Sequence, residues 1–269
     1  MKFIRLVTVA VLSTTILARG VSAVANEVQK ADTDATVNFS AVDEDGNGED
    51  TVVINPVAPE DGGPDVEIAP IDPEGEGNTG PLTIAYAPTM DFGQQVISNQ
   101  DRTYTMIAEQ QPLKDGSGDV PYVSFAQVQD TRGTNEGWDL RVTLSDFENN
   151  DAQTRNTTLY GTEIEFTSPT LEYVGNEGNE PVVHAANLVL SAGGEAQSVL
   201  AAETGRGAGT SSVVWGDQME LNNSTSDIVR NEGILLHIPG ATAKDAVEYA
   251  ATLTWELNQS PGMAGETIN

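Results

Sequence analysis

The sequence predicts an all-β protein: a sandwich-like antiparallel domain preceded by a signal peptide and an acidic, Pro/Gly-rich disordered segment. Three observations predict it. From Pro81 onward, short runs of alternating apolar and polar residues are separated by Gly, Asn and Asp, and a period of two marks a half-buried strand. Residues 26–80 hold 15 Asp/Glu against one basic residue, Lys30, with Pro56, Pro59, Pro64, Pro70 and Pro73 among glycines. The first residues join a basic start to an apolar run and small residues, the pattern of an export leader.

Taken in order, Met1–Arg5 is the basic start, Leu6–Ala18 the apolar run and Ala23-Val24-Ala25 the Ala-x-Ala site. A membrane span needs about 20 apolar residues, so residues 1–25 are expected to be a signal peptide, with no membrane insertion after cleavage. Residues 26–80 are expected to be an acidic low-complexity spacer. Such a segment buries too little apolar surface to offset its ordering entropy, and like charges extend it. Thr51–Ile54 has strand character with nothing nearby to support it.

Residues 81–269 are the expected β domain. Thr103–Ile107 and Tyr122–Ala126 are strand-like runs. In Trp138–Leu144, Trp138, Leu140, Val142 and Leu144 share one face and Asp139, Arg141 and Thr143 the other. Glu163–Thr167 follows the same rule, and Asn187–Leu190 and Ile234–Ile238 follow it more loosely. Tyr249–Leu257 closes the series, with Tyr249, Ala251, Leu253, Trp255 and Leu257 on one face. Ala241–Val247 has helix propensity. Pro261 is expected to end the last strand, because it has no N–H to donate. Many short strands with regular turn signals point to a sandwich or barrel.

Composition excludes several functions. The 269 residues carry 12 Lys+Arg and 41 Asp+Glu, a net charge of −29. A nucleic-acid binder needs Lys/Arg to replace counterions, so none is expected; an anionic membrane surface is disfavoured likewise. With no Cys and two His, His184 and His237, disulfides, thiolate zinc sites and paired-histidine chemistry are not expected. No cofactor is implied. Asp43, Asp45 and Asn47 begin an Asp-x-Asp-x-Asn-Gly calcium-loop pattern. The position that should supply a bidentate Glu is Ile54, so this is a weak candidate and no metal site is expected. Gly-x-Ser-x-Gly is absent, and no carboxylate pair stands out for glycoside hydrolysis. The chain is therefore not expected to be an enzyme.

Two triplets, Trp138-Asp139-Leu140 and Trp255-Glu256-Leu257, stand far apart with related flanks. The first follows Asp130-Thr131-Arg132-Gly133 and Gly137; the second lies between Pro239-Gly240-Ala241 and Pro261. With Pro81–Ile84, Asp91-Phe92-Gly93 and Gly205-x-Gly207-x-Gly209…Trp215, the pair resembles the WxL domain of Gram-positive surface proteins. The resemblance covers roughly residues 80–263. It implies a secreted protein held non-covalently on the cell wall, a peptidoglycan ligand, and partners among other surface proteins, including a WxL-interacting protein. No Leu-Pro-x-Thr-Gly motif or lipobox Cys is present, so the exported chain is expected to be either released or held by binding. The alternative is a structural or adhesive subunit whose main ligand is another surface protein.

Trp138, Leu140, Trp255, Leu257, Arg132 and Trp215 are the ligand-binding or domain-defining candidates. An indole stacks on a sugar face and donates one hydrogen bond. It equally fills a sandwich interior, and the alternation favours that account for Trp138 and Trp255. Ligand contact then falls to Asp139, Arg141 and Glu256 on the opposite faces. Trp215, beside a Gly-rich loop and outside a clear alternation, is expected to be the more exposed. Arg132 either clamps a carboxylate or phosphate or pairs with Asp130 in a turn, the simpler account. His237 is expected to face solvent, and neither His has an evident partner.

Overall fold

A computed structural model describes residues 36–37, 51–71, 80–151 and 153–259. The chain divides into Met1–Phe39, of which only Thr36 and Val37 are described, and Ser40–Asn269, whose fold follows. The expected leader, the Asp43, Asp45 and Asn47 pattern and Pro261 lie outside the described residues.

The alternating runs form strands: β1 (Leu82–Tyr86), β2 (Arg102–Ile107), β3 (Glu109–Pro112), β4 (Asp119–Tyr122), β5 (Ser124–Asp130), β6 (Trp138–Leu144) and β7 (Glu163–Phe166). They continue as β8 (Thr170–Val174), β9 (Val182–Val183), β10 (Leu188–Ser191), β11 (Gln197–Ala202), β12 (Gly209–Trp215), β13 (Arg230–Ile238) and β14 (Leu253–Asn258). All pairings are antiparallel. Three sheets of four strands run β1-β5-β12-β8, β10-β7-β13-β2 and β14-β6-β11-β9, with β3-β4 as a separate pair. The all-β, sandwich-like expectation holds.

One core receives a face from each large sheet. Val128, Val213 and Trp215 come from the first, Met106, Phe166 and Ile234 from the second, and Trp138, Leu140, Val142 and Leu200 from the third. A smaller core lies on the other face of the first sheet, where Phe125 and Val214 meet Tyr122, Val53, Val66, Ile68 and Leu221. With both faces covered, β5 and β12 are buried almost throughout. That is why their sequences do not alternate cleanly.

Residues 51–71 differ from the composition-based expectation of a disordered segment. Their apolar side chains Val53, Val66 and Ile68 are buried, and their backbone is satisfied by side chains of the domain. Gln127 accepts from Ile54 N (2.9 Å) and donates to Ile54 O (2.7 Å). Tyr122 Oη accepts from Val57 N (3.0 Å) and donates to Val57 O (2.9 Å). Asn55 donates to Val66 O, and Ile71 N to Ala85 O. Burial pushes the Tyr122 phenol up to about 12, so it stays a donor.

The helical content also differs from the expectation. Ala241–Val247 forms no helix. An unforeseen helix, α1 (Gln218–Asn223), starts where Asp217 accepts from Met219 N and Glu220 N as an N-cap. It is held by Gln218, which accepts from Val123 N (3.0 Å).

Candidate functional site

The two Trp-x-Leu triplets become neighbours. β14 pairs with β6 so that Trp255 lies opposite Val142, Leu257 opposite Leu140, and Leu253 opposite Leu144. β6 is interior to its sheet and β14 is at the edge. Position decides burial: Trp138 and Leu140 are fully buried, whereas Trp255 and Leu257 are half-buried.

The Gly-rich loop caps the first tryptophan. Trp138 Nε1 donates to Gly207 O (3.1 Å). Gly207 has φ +76°, and a Cβ there would come within 2.7 Å of Trp138 Nε1. Only glycine combines that left-handed backbone with so close an approach. Of the Gly205-x-Gly207-x-Gly209 run, Gly207 and Gly209 serve close packing, while an added Cβ at Gly205 would meet nothing.

Arg132 takes the simpler of its two roles. Its Nε and one terminal nitrogen bind Asp130 at 2.9 and 2.8 Å, and the same nitrogen donates to Gly137 O at 2.9 Å. The Arg132 side chain is 8% exposed and that of Asp130 1%, so the guanidinium locks the turn leading into Trp138.

Trp215 is fully buried, contrary to the expectation of exposure. It ends β12 within the main core, with its ring 4.7 Å from Phe166 and 6.4 Å from Trp255. Its Nε1 donates to His184 Nε2 (2.8 Å), and His184 Nδ1 lies 2.6 Å from Ala185 O. A carbonyl can only accept, so Nδ1 carries the proton and the imidazole is neutral; burial holds its pKa below the usual value. His184 therefore has partners that no sequence spacing announced. His237 has them too: Glu165 at 2.8 Å and Thr103 at 3.0 Å, contributed by β7 and β2. Its side chain is 32% exposed, so full solvent exposure is also corrected.

On the outer face of the β6–β14 ribbon, Glu256 lies opposite Arg141, Thr254 opposite Thr143, and Asn258 opposite Asp139. Arg141 donates to Ala196 O (2.6 Å) and lies 3.8 Å from Asp139, which accepts from Ser198. Hydroxyl, amide, carboxylate and guanidinium groups are thus set in register, a surface suited to hydrogen-bonding a polar ligand. Two open grooves lie elsewhere: about 670 Å³ lined by Val96, Ile97, Arg102 and Tyr104, and about 260 Å³ lined by Thr103, Glu163, His237 and Pro239. Among the described residues no group of three or more His, Asp or Glu converges as metal ligands would. No helix among them is long and apolar enough to cross a membrane.

Residues 26–261 match a family model described as WxL domain, surface cell wall-binding. No curated protein and no solved structure matches the chain. The matched region contains both triplets, the Arg132 turn, the Gly-rich loop and the packed 51–71 segment.

Proposed function

Because the chain belongs to the WxL family of cell-wall-binding surface proteins, we propose that it is a secreted, non-catalytic protein held on the Gram-positive wall by binding peptidoglycan. Its place is the cell surface. The observation that carries the proposal is the family match over residues 26–261. The proposed contact is the polar face of β6 and β14, around Asp139, Arg141, Thr254 and Glu256. A second reading, in which another surface protein is the main ligand, draws support from the outer edge of β14, which pairs with no other strand among the described residues.

With a net charge of −29, the protein is repelled by anionic wall polymers, so attachment must be short-range. Sacculi stripped of protein should pellet the full chain at least as well at about 1 M as at about 0.15 M salt, where the Debye length falls from about 8 to about 3 Å. Pelleting only when a surface partner is added would overturn peptidoglycan binding. Release of muropeptides would overturn the non-catalytic assignment.

A further inference from the structure

We infer that the outer edge of β14 is a docking site for an extended, basic segment of a partner protein, which adds a strand to the third sheet. This goes beyond peptidoglycan binding and does not depend on it.

The first observation is backbone geometry. Thr252 turns its carbonyl to Ser145 N at 3.0 Å. In an antiparallel ladder the direction alternates, so the N–H and C=O of Leu253, Trp255 and Leu257 point away from β6. Among the described residues nothing accepts from or donates to them. Exposure alternates without a break from Ala250 to Asn258, with Ala250, Thr252, Thr254, Glu256 and Asn258 exposed. The β14–β6 register has no bulge, and β14 contains no Pro, Lys, Arg or Gly. Such devices ordinarily protect an edge from pairing.

The other edges of the three large sheets have protection. β9 has two residues and β10 four. β1 carries a register shift between Ile84 and Tyr86, and Ile71 N takes Ala85 O. On β2, Ile107 N is occupied by Asp91 O, and Thr105 O by Arg230. β8 has five residues and lies alongside β9.

The second observation is incomplete burial. Leu253, Trp255 and Leu257 face the main core yet remain half-buried, and among the described residues no strand pairs with the outer edge of β14. An added strand with apolar residues at alternate positions would complete that cover while its backbone pairs with the free edge.

Charge selects the occupant. The exposed acids Glu148, Glu248 and Glu256 lie on or beside this ribbon, and its one basic side chain, Arg141, is half-buried and bonded to Ala196 O. The intervening positions of the added strand are therefore Lys or Arg. A second copy of this chain would set Glu256 and a charge of −29 against their equals, so the occupant is another protein.

The test uses the full chain and a peptide of about ten residues alternating Val and Lys, at about 0.15 M salt, where nonspecific attraction is screened. Hydrogen exchange at single amides is the readout. The Val–Lys peptide should bind saturably and slow exchange at Leu253, Trp255 and Leu257 by about tenfold or more. A Val–Glu peptide should not bind, and Glu256→Lys should reverse the preference. Absence of binding to about 1 mM peptide, or binding that leaves those amides unchanged, overturns the proposal. Protection that grows with protein concentration alone also overturns it, since the occupant is then a second copy. Pelleting with sacculi is a separate measurement, so either idea can fail without the other.

Discussion

Trp138, Trp215 and Trp255 have the same side chain and three different environments. Trp138 is enclosed and hydrogen-bonded to Gly207 O; Trp255, on an edge strand, is half-buried. Trp138→Ala should therefore cost about 3–5 kcal/mol, and Trp255→Ala about 1–2 kcal/mol from its smaller buried area. Denaturant titration of both variants checks this; equal losses would mean that Trp255 is as enclosed as Trp138. His184 adds a pH dependence. Protonating Nε2 would set two donors, imidazolium and indole, against each other, and burial already lowers its pKa. The unfolded chain thus takes the proton first, near pH 6.5. The stability from neutral His184 is complete above that value and is lost as pH falls through the folded-state pKa. Glu109 acts oppositely: burial raises its pKa, so its contribution is lost as pH rises above about 4.5. Comparing the wild type with His184→Gln isolates the histidine. The variant should lose less stability between pH 7.5 and 5.5 than the wild type; identical curves would remove His184 from the account.

At the scale of elements, burial on one face or two decides how a strand reads. β6 is covered on one face, and its burial alternates residue by residue as its sequence does. β5 and β12 lie between two cores, so Ser124, Gln127, Ser211 and Ser212 are buried beside Val and Phe. Their polar groups break the apolar run, and some hold neighbouring segments. Gln127 bonds both backbone groups of Ile54 as well as Ser212 Oγ (2.8 Å). Gln127→Ala removes these partners and should cost about 1–3 kcal/mol. Amides of residues 51–57 should exchange about tenfold faster or more, while those of β6 stay protected. If the 51–57 amides were unaffected, Gln127 would not be what holds the segment. α1 follows the same logic: it is short, with little apolar periodicity, and is held by the Asp217 cap and by Gln218 on Val123 N.

At the scale of the whole molecule, 41 Asp+Glu stand against 12 Lys+Arg. Ion pairs are sparse among the described residues, and the most enclosed, Arg132 with Asp130, is insulated from salt. Self-repulsion of a −29 chain therefore governs the response to ionic strength. The thermal midpoint should rise from about 0.02 M to about 0.15 M salt as repulsion is screened. A falling midpoint would mean that favourable surface pairs outweigh repulsion. The same charge underlies both proposals, a wall contact through short-range hydrogen bonds and a basic segment at the β14 edge.

The sequence by itself determined the β class, the strands with one solvent face, the family and the surface location. Those properties follow from period-two alternation, composition and motif residues, all local along the chain. Of the candidate site it made Trp138, Leu140 and the Arg132–Asp130 turn legible, since alternation and a two-residue separation are visible in one dimension. Only the tertiary structure decided which triplet lies inside and which at an edge, because that depends on strand order. It alone buried Trp215 against His184 and brought Glu165 and Thr103 to His237. It also fastened an acidic, Pro-rich stretch to the domain through Gln127 and Tyr122. Each of these joins residues distant in sequence, and a buried polar group finds its partner by position in space, which no spacing along the chain encodes.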